Sequence, residues 1–191
     1  MQKLETAYQL QERLRTVLTT VETEFRPLSD EQLNWRPAPD RWSIIQCLQH
    51  LNLAERFYIR NLQKKIDDLG LIQTIPTDQP IESDWVGRTL RYSVDPNTNL
   101  KLPAPSMIRP RAELDTYSVL DQFVELQQLL HDLLDKAIYL DWNRTRMMSL
   151  FGNWIKIRVG DALIMLVLHT ERHIRQALRV KEEMTTFART A

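Results

Sequence analysis

The residues best suited to chemistry in this chain are His169 and His173, four apart in Leu163-Ile-Met-Leu-Val-Leu-His-Thr-Glu-Arg-His-Ile-Arg-Gln-Ala-Leu. That segment reads as a helix, and a spacing of four puts both imidazoles on one face about one turn apart, near enough to share a metal ion. Two more histidines complete the set, His50 and His131. His50 stands in a second helical segment, Trp42-Ser-Ile-Ile-Gln-Cys-Leu-Gln-His-Leu-Asn-Leu-Ala-Glu. If the two helices pack side by side, His50, His169 and His173 converge. Three neutral imidazoles leave a coordination position free, as in catalytic zinc-type sites.

The elements that must position these side chains follow from periodicity. Apolar residues recur at three- and four-residue spacing from Leu4 to Phe25, through Tyr8, Leu14, Val17 and Val21, and Pro27 ends this first helix. A short turn capped at Ser29 or Asp30 precedes the extended Arg36-Pro-Ala-Pro. Ser43 is a good N-cap for helix two, which runs to Leu69 before Gly70 stops it. Helix three is expected from Glu113 to Tyr139 and helix four from Val159 to Thr185, with both of its histidines on the apolar stripe.

Two connectors separate these helices. Leu71 to Arg111 holds six prolines and little helical period, and its length of ~40 residues far exceeds the usual few. Trp85, Val86, Leu90, Tyr92, Val94 and Met107 suggest that parts of it pack down. Asp141 to Lys156 is rich in aromatic residues and Met. Alternating β-branched stretches are scarce, so sheet has little support. The expectation is an all-α four-helix bundle forming a single domain over 1–191, with metal ligands projecting inward from facing helices.

Composition narrows the function classes. Hydrophobic residues are 43% and charged residues 26% of the 191 residues, values of an ordinary globular protein. Lys plus Arg equals Asp plus Glu at 25 each, so no overall field attracts nucleic acid or an anionic membrane. No apolar run is long enough for a membrane span, and the N-terminus has no signal core. With Cys47 the single cysteine, no intrachain disulfide can form, and the cytoplasm is the expected compartment.

The other reactive side chains have plainer readings. Cys47 has apolar neighbours in Ile44, Leu48 and Leu51 and reads as a small buried hydrophobe rather than a fourth ligand or nucleophile. His131 sits beside Asp132 at the edge of its stripe, which suits a surface or hydrogen-bonding role. Gln46 and Gln176 lie within a turn of the proposed ligands and are candidates to orient an imidazole. Glu171 projects to another face, and a zinc-protease motif would place Glu directly after the first His. Arg172, Arg175 and Arg179 are read as a solvated helix face.

Two segments carry a family likeness: Arg41-Trp-Ser-Ile-Ile-Gln-Cys-Leu-Gln-His-Leu, and Gly160-Asp-Ala-Leu followed by Leu168-His-Thr-Glu-Arg-His-Ile-Arg-Gln-Ala. The chain resembles the DinB/YfiT-like family in the order and spacing of these motifs. The resemblance implies an up-down-down-up bundle, a divalent metal on His50, His169 and His173, and often a homodimer; by ligand chemistry, three imidazoles plus water suit zinc, nickel and other first-row ions. It also implies, for some members, a low-molecular-weight thiol as cofactor in S-transfer to a small-molecule substrate. Metal-assisted hydrolysis is the alternative, and a non-enzymatic metal-binding or stress-response bundle is a third reading. Fold alone does not choose among them.

Overall fold

A computed structural model describes residues 1–69, 75–98, 100 and 103–190, so the expected stop at Gly70 lies outside the described residues. Four long helices dominate: α1 (Lys3–Thr20), α3 (Ile44–Leu69), α5 (Thr116–Ala137) and α6 (Val159–Thr190). A π-helical turn, Val21–Phe25, extends α1 to the proline stop, and α2 (Asp30–Asn34) is capped by Ser29 in a reciprocal capping box with Gln32. The buried stripe of α1 is Ala7, Leu10, Leu14 and Val17, while Tyr8, expected on it, is exposed. Helix α6 runs on to Thr190, past the expected Thr185.

Side-chain pairs fix how the helices meet. Between α1 and α6, Arg13 pairs with Glu171 and Glu24 with Lys181. Between α1 and α5, Gln11 reaches Asp135 and Arg26 reaches Asp121. Asn52 of α3 donates to the Val119 carbonyl of α5 at 2.9 Å. Arg41, just ahead of α3, makes a two-pronged contact of 2.7 Å per prong with Glu183 of α6.

The sequence reading missed two elements. The Asp141 to Lys156 connector forms most of an antiparallel hairpin, β1 (Arg146–Ser149) and β2 (Gly152–Arg158). Period-two burial explains it: Met147 and Ile157 pair across the strands and point into the core, while Met148 points out. Gly152 turns the hairpin at φ 123, a conformation that favours glycine. The long connector contains α4 (Trp85–Val94), whose N-cap Asp84 accepts from the Gly87 N–H at 2.9 Å. Leu90 and Val94 of α4 pack on the core, but Trp85, Tyr92 and Met107 are exposed, against expectation. No helix among the described residues is long and apolar enough to cross a membrane.

The apolar interior falls into two clusters. One gathers Leu10, Leu14, Tyr58, Leu62, Leu134, Trp142, Leu163 and Leu166. The other gathers Val21, Phe25, Ile44, Leu48, Leu51, Phe123, Ile174 and Val180. On α3 and α6 the stretches between them carry Asn52, Glu55, His169, Thr170 and His173, and α5 adds Gln127. The polar residues of interest therefore occupy one level of the bundle.

Candidate metal centre

His50, His169 and His173 come together as the sequence spacing requires, each offering a ring nitrogen within 4.8 Å of the others. His50 Nε2 lies 3.1 Å from His169 Nε2. Ring centroids are 4.5 Å apart for His50 and His173 and 4.7 Å for His169 and His173. His50 is buried, while His169 and His173 keep part of their surface open.

The remaining ring nitrogens are held from outside. His50 Nδ1 is 2.7 Å from the Ile108 carbonyl, and His173 Nδ1 is 3.0 Å from Gln176 Oε1. Both partners are acceptors, so in these two rings Nδ1 carries the proton and Nε2 the lone pair, which in His50 accepts from His169 Nε2. Burial pushes all three imidazoles below their usual range, His173 to about 3, and the neighbouring imidazoles add to the effect on His169 and His173. They are neutral at physiological pH. Neutral imidazoles with oriented lone pairs are the donor set a divalent transition metal takes, so the residues present fit such an ion.

Gln176 fulfils its expected orienting role, but Gln46 does not. The Gln46 side chain caps α3 by accepting from the Ser43 N–H and donates to the Arg111 carbonyl at 3.0 Å. Gln49 accepts from the Arg111 N–H at 2.7 Å. Together with the His50 contact to Ile108, these bonds pin residues 108–111 of the connector along one face of α3. Sequence reasoning had no means to find Ile108, because its contribution is a backbone carbonyl.

Arg172 corrects the expectation of a solvated face. Its guanidinium donates to the carbonyls of Asp95 at 2.8 Å and Thr98 at 3.3 Å, and to that of Leu100. Arg175 reaches Asn97 at 3.1 Å. These two arginines strap the connector to α6. Glu171, on another face as expected, is bound to Arg13. Trp42 was also missed as part of the site: its ring lies 4.9 Å from that of His50 and 5.8 Å from that of His173.

The other singled-out residues stay outside the cluster. His131 stands apart, its Nδ1 3.5 Å from the Asp132 carboxylate and its Nε2 buried without a hydrogen-bond partner among the described residues. Cys47 is fully buried and burial pushes its thiol up to about 12, so it is a core residue and a poor nucleophile. Trp142 is buried against Gly160, nine residues before His169, which is roughly 14 Å along the helix. Trp154 is exposed on the hairpin.

Comparison with known proteins agrees with this architecture. The chain is 23% identical over 162 residues to YuaE of Bacillus subtilis (strain 168), covering 84% of this chain and 90% of that protein. It is similar to the solved structure of YfiT from Bacillus subtilis, with a TM-score of 0.58 and 15% identity, covering 95% of this chain and 89% of the other. That protein is described as "a probable metal-dependent hydrolase with an unusual four-helix bundle topology". The DinB superfamily model matches residues 12–177, most of the length, and the chain belongs to the DinB superfamily.

Proposed function

We propose that this chain binds a divalent metal ion, zinc or nickel, through His50, His169 and His173, and hydrolyses a small-molecule substrate there. The observation that carries the reading is the convergence of three neutral imidazoles, two of them oriented through Nδ1 by Ile108 and Gln176. Three protein ligands leave a position free, whereas structural zinc sites are normally closed by four, and buried Cys47 is not in the cluster. A divalent ion in such a site supplies Lewis acidity and lets water ionise near neutral pH. The chain's own residues set the ligand directions, and Trp42 together with residues 108–111 borders the approach.

The description of YfiT supports hydrolysis. Thiol transfer has no comparable support. Arg172, the cation that acts on His169 and His173, is taken up by connector carbonyls and is not free to dock an anionic thiol. An up-down-down-up order belongs to the same proposal. It is supported by contacts that advance together along α1 and α6, and along α3 and α5, but in opposite senses along α1 and α5. A homodimer is likewise proposed, with exposed Phe151 and Trp154 of the hairpin as its apolar surface.

The test is metal content of protein purified without an affinity tag. His50→Ala, His169→Ala and His173→Ala should each abolish bound metal, and His131→Ala should leave it intact. Equal metal content in the His131 and His173 variants would overturn the reading. Ester, amide and phosphoester substrates then probe hydrolysis, which chelation should abolish. Light scattering of the same preparation at the single-chain mass of 22.6 kDa would remove the dimer.

A further inference from the structure

Glu55 is wholly buried, five residues beyond His50 on α3. Its Oε1 lies 2.6 Å from the hydroxyl of Thr170, the neighbour of His169 on α6, and its Oε2 accepts from the Gln127 amide of α5. The Thr170 hydroxyl also lies 2.9 Å from the Leu166 carbonyl. One hydroxyl has one proton, so an ionised Glu55 and Leu166 would compete for it. With a proton on Oε1 the run from Glu55 through Thr170 to Leu166 is satisfied, while Gln127 Oε1 stays without a partner among the described residues. Glu55 donates to Thr170, Thr170 donates to Leu166, and Gln127 donates to Oε2.

We infer that Glu55, as the neutral acid, is a positioning residue for the histidine cluster, acting through Thr170 to fix α6 against α3 at the residue next to His169. The inference rests on the proposed metal reading for its functional meaning and on the hydrogen-bond geometry for its substance. Burial pushes the Glu55 carboxyl up to about 7, and the groups acting on it, Thr170 of α6 and Gln127 of α5, are both uncharged. The consequence for the cluster is geometric. His50 and Glu55 share one rigid helix, and His169 and Thr170 share another, so the Glu55–Thr170 bond restrains the 3.1 Å approach of His50 to His169. A shift of one side chain by about 1 Å is enough to misplace a site of this kind.

The experiment titrates cobalt(II) into the full-length, tag-free chain and reads affinity and the visible absorption of the bound ion. It also records the imidazole nitrogen resonances without metal. Thr170→Val should weaken cobalt binding at least tenfold, shift the absorption bands, and move the His50 and His169 resonances. Thr170→Ser, which restores the hydroxyl, and Glu55→Gln, whose amide donates and accepts as the neutral acid does, should match the wild type. Wild-type affinity and spectra in Thr170→Val would overturn the inference, as would a Glu55→Gln variant impaired as badly as Thr170→Val. If Thr170→Val does not fold, Thr170→Ala carries the same comparison. If the wild-type chain takes no cobalt, the metal reading falls, while the imidazole resonances still decide the positioning role.

Discussion

Two carboxylates among the described residues are fully buried, and they are buried in opposite ways. Asp161, in the first turn of α6, accepts from Ser83 at 2.6 Å and from the Arg91 guanidinium at 3.3 Å, with the helix N-terminus favouring its charge. Glu55, at the level of the histidines, has only the uncharged Thr170 and Gln127. The first arrangement is an ionic clamp that holds α4 on α6. The second has no cation beside it, so burial next to three neutral imidazoles disfavours its charge. A buried carboxylate is thus not in itself a sign of a site, and the presence or absence of a cation beside it tells which task it performs.

The sharpest way to break this contrast is to disturb the clamp. A Cβ at Gly87 would lie 2.0 Å from Asp161 Oδ2, so Gly87→Ala must displace the carboxylate from Ser83 and Arg91. A loss of about 3 kcal/mol in urea unfolding is expected, from overpacking and a damaged buried pair together. An unchanged midpoint would mean that the clamp contributes nothing.

A smaller effect of opposite sign tests the uncharged side. The folded-state pKa of Glu55 is raised from 4.5 to about 7, so its ionised form is disfavoured in the fold. The cost is absent below about pH 4.5, grows as pH rises, and is complete above about pH 7. Glu55→Gln should therefore stabilise the protein by roughly 2 kcal/mol at pH 8 and by nothing at pH 4. A variant less stable than the wild type at pH 8 would show Glu55 to be a favourable charge. The smallest effect concerns ligand orientation: Gln176→Ala frees His173 Nδ1, and metal affinity, read by competition with a chelating dye, should fall roughly tenfold.

The legibility of the molecule followed the range of its interactions. His50, His169 and His173 could be read because helix periodicity is local and fixes which side chains share a face. The N-cap of α3 at Ser43 and the orienting role of Gln176 are contacts of three residues' reach, and both could be inferred. Ile108, by contrast, reaches His50 across 58 residues through a carbonyl, which has no side-chain signature. Arg172 looked solvated because its partners are carbonyls of a segment whose path the sequence does not specify. The hairpin was missed because its strands are short and its inward residues include Met147, a poor strand signal, although Gly152 and the alternation around Ile157 were available clues.

The closeness of Trp42 to two imidazoles makes the site optically visible. Of five tryptophans, Trp142 is encased and Trp154 is solvated, so their emission is set by environments remote from the histidines. Trp42, at 4.9 Å from His50 and 5.8 Å from His173, is placed for its excited state to be quenched by whatever the imidazoles hold. The fraction of fluorescence lost with Trp42→Phe is then the fraction that reports on the centre. An open-shell ion such as nickel(II) would darken that fraction, whereas zinc(II), with its filled d shell, would leave it bright.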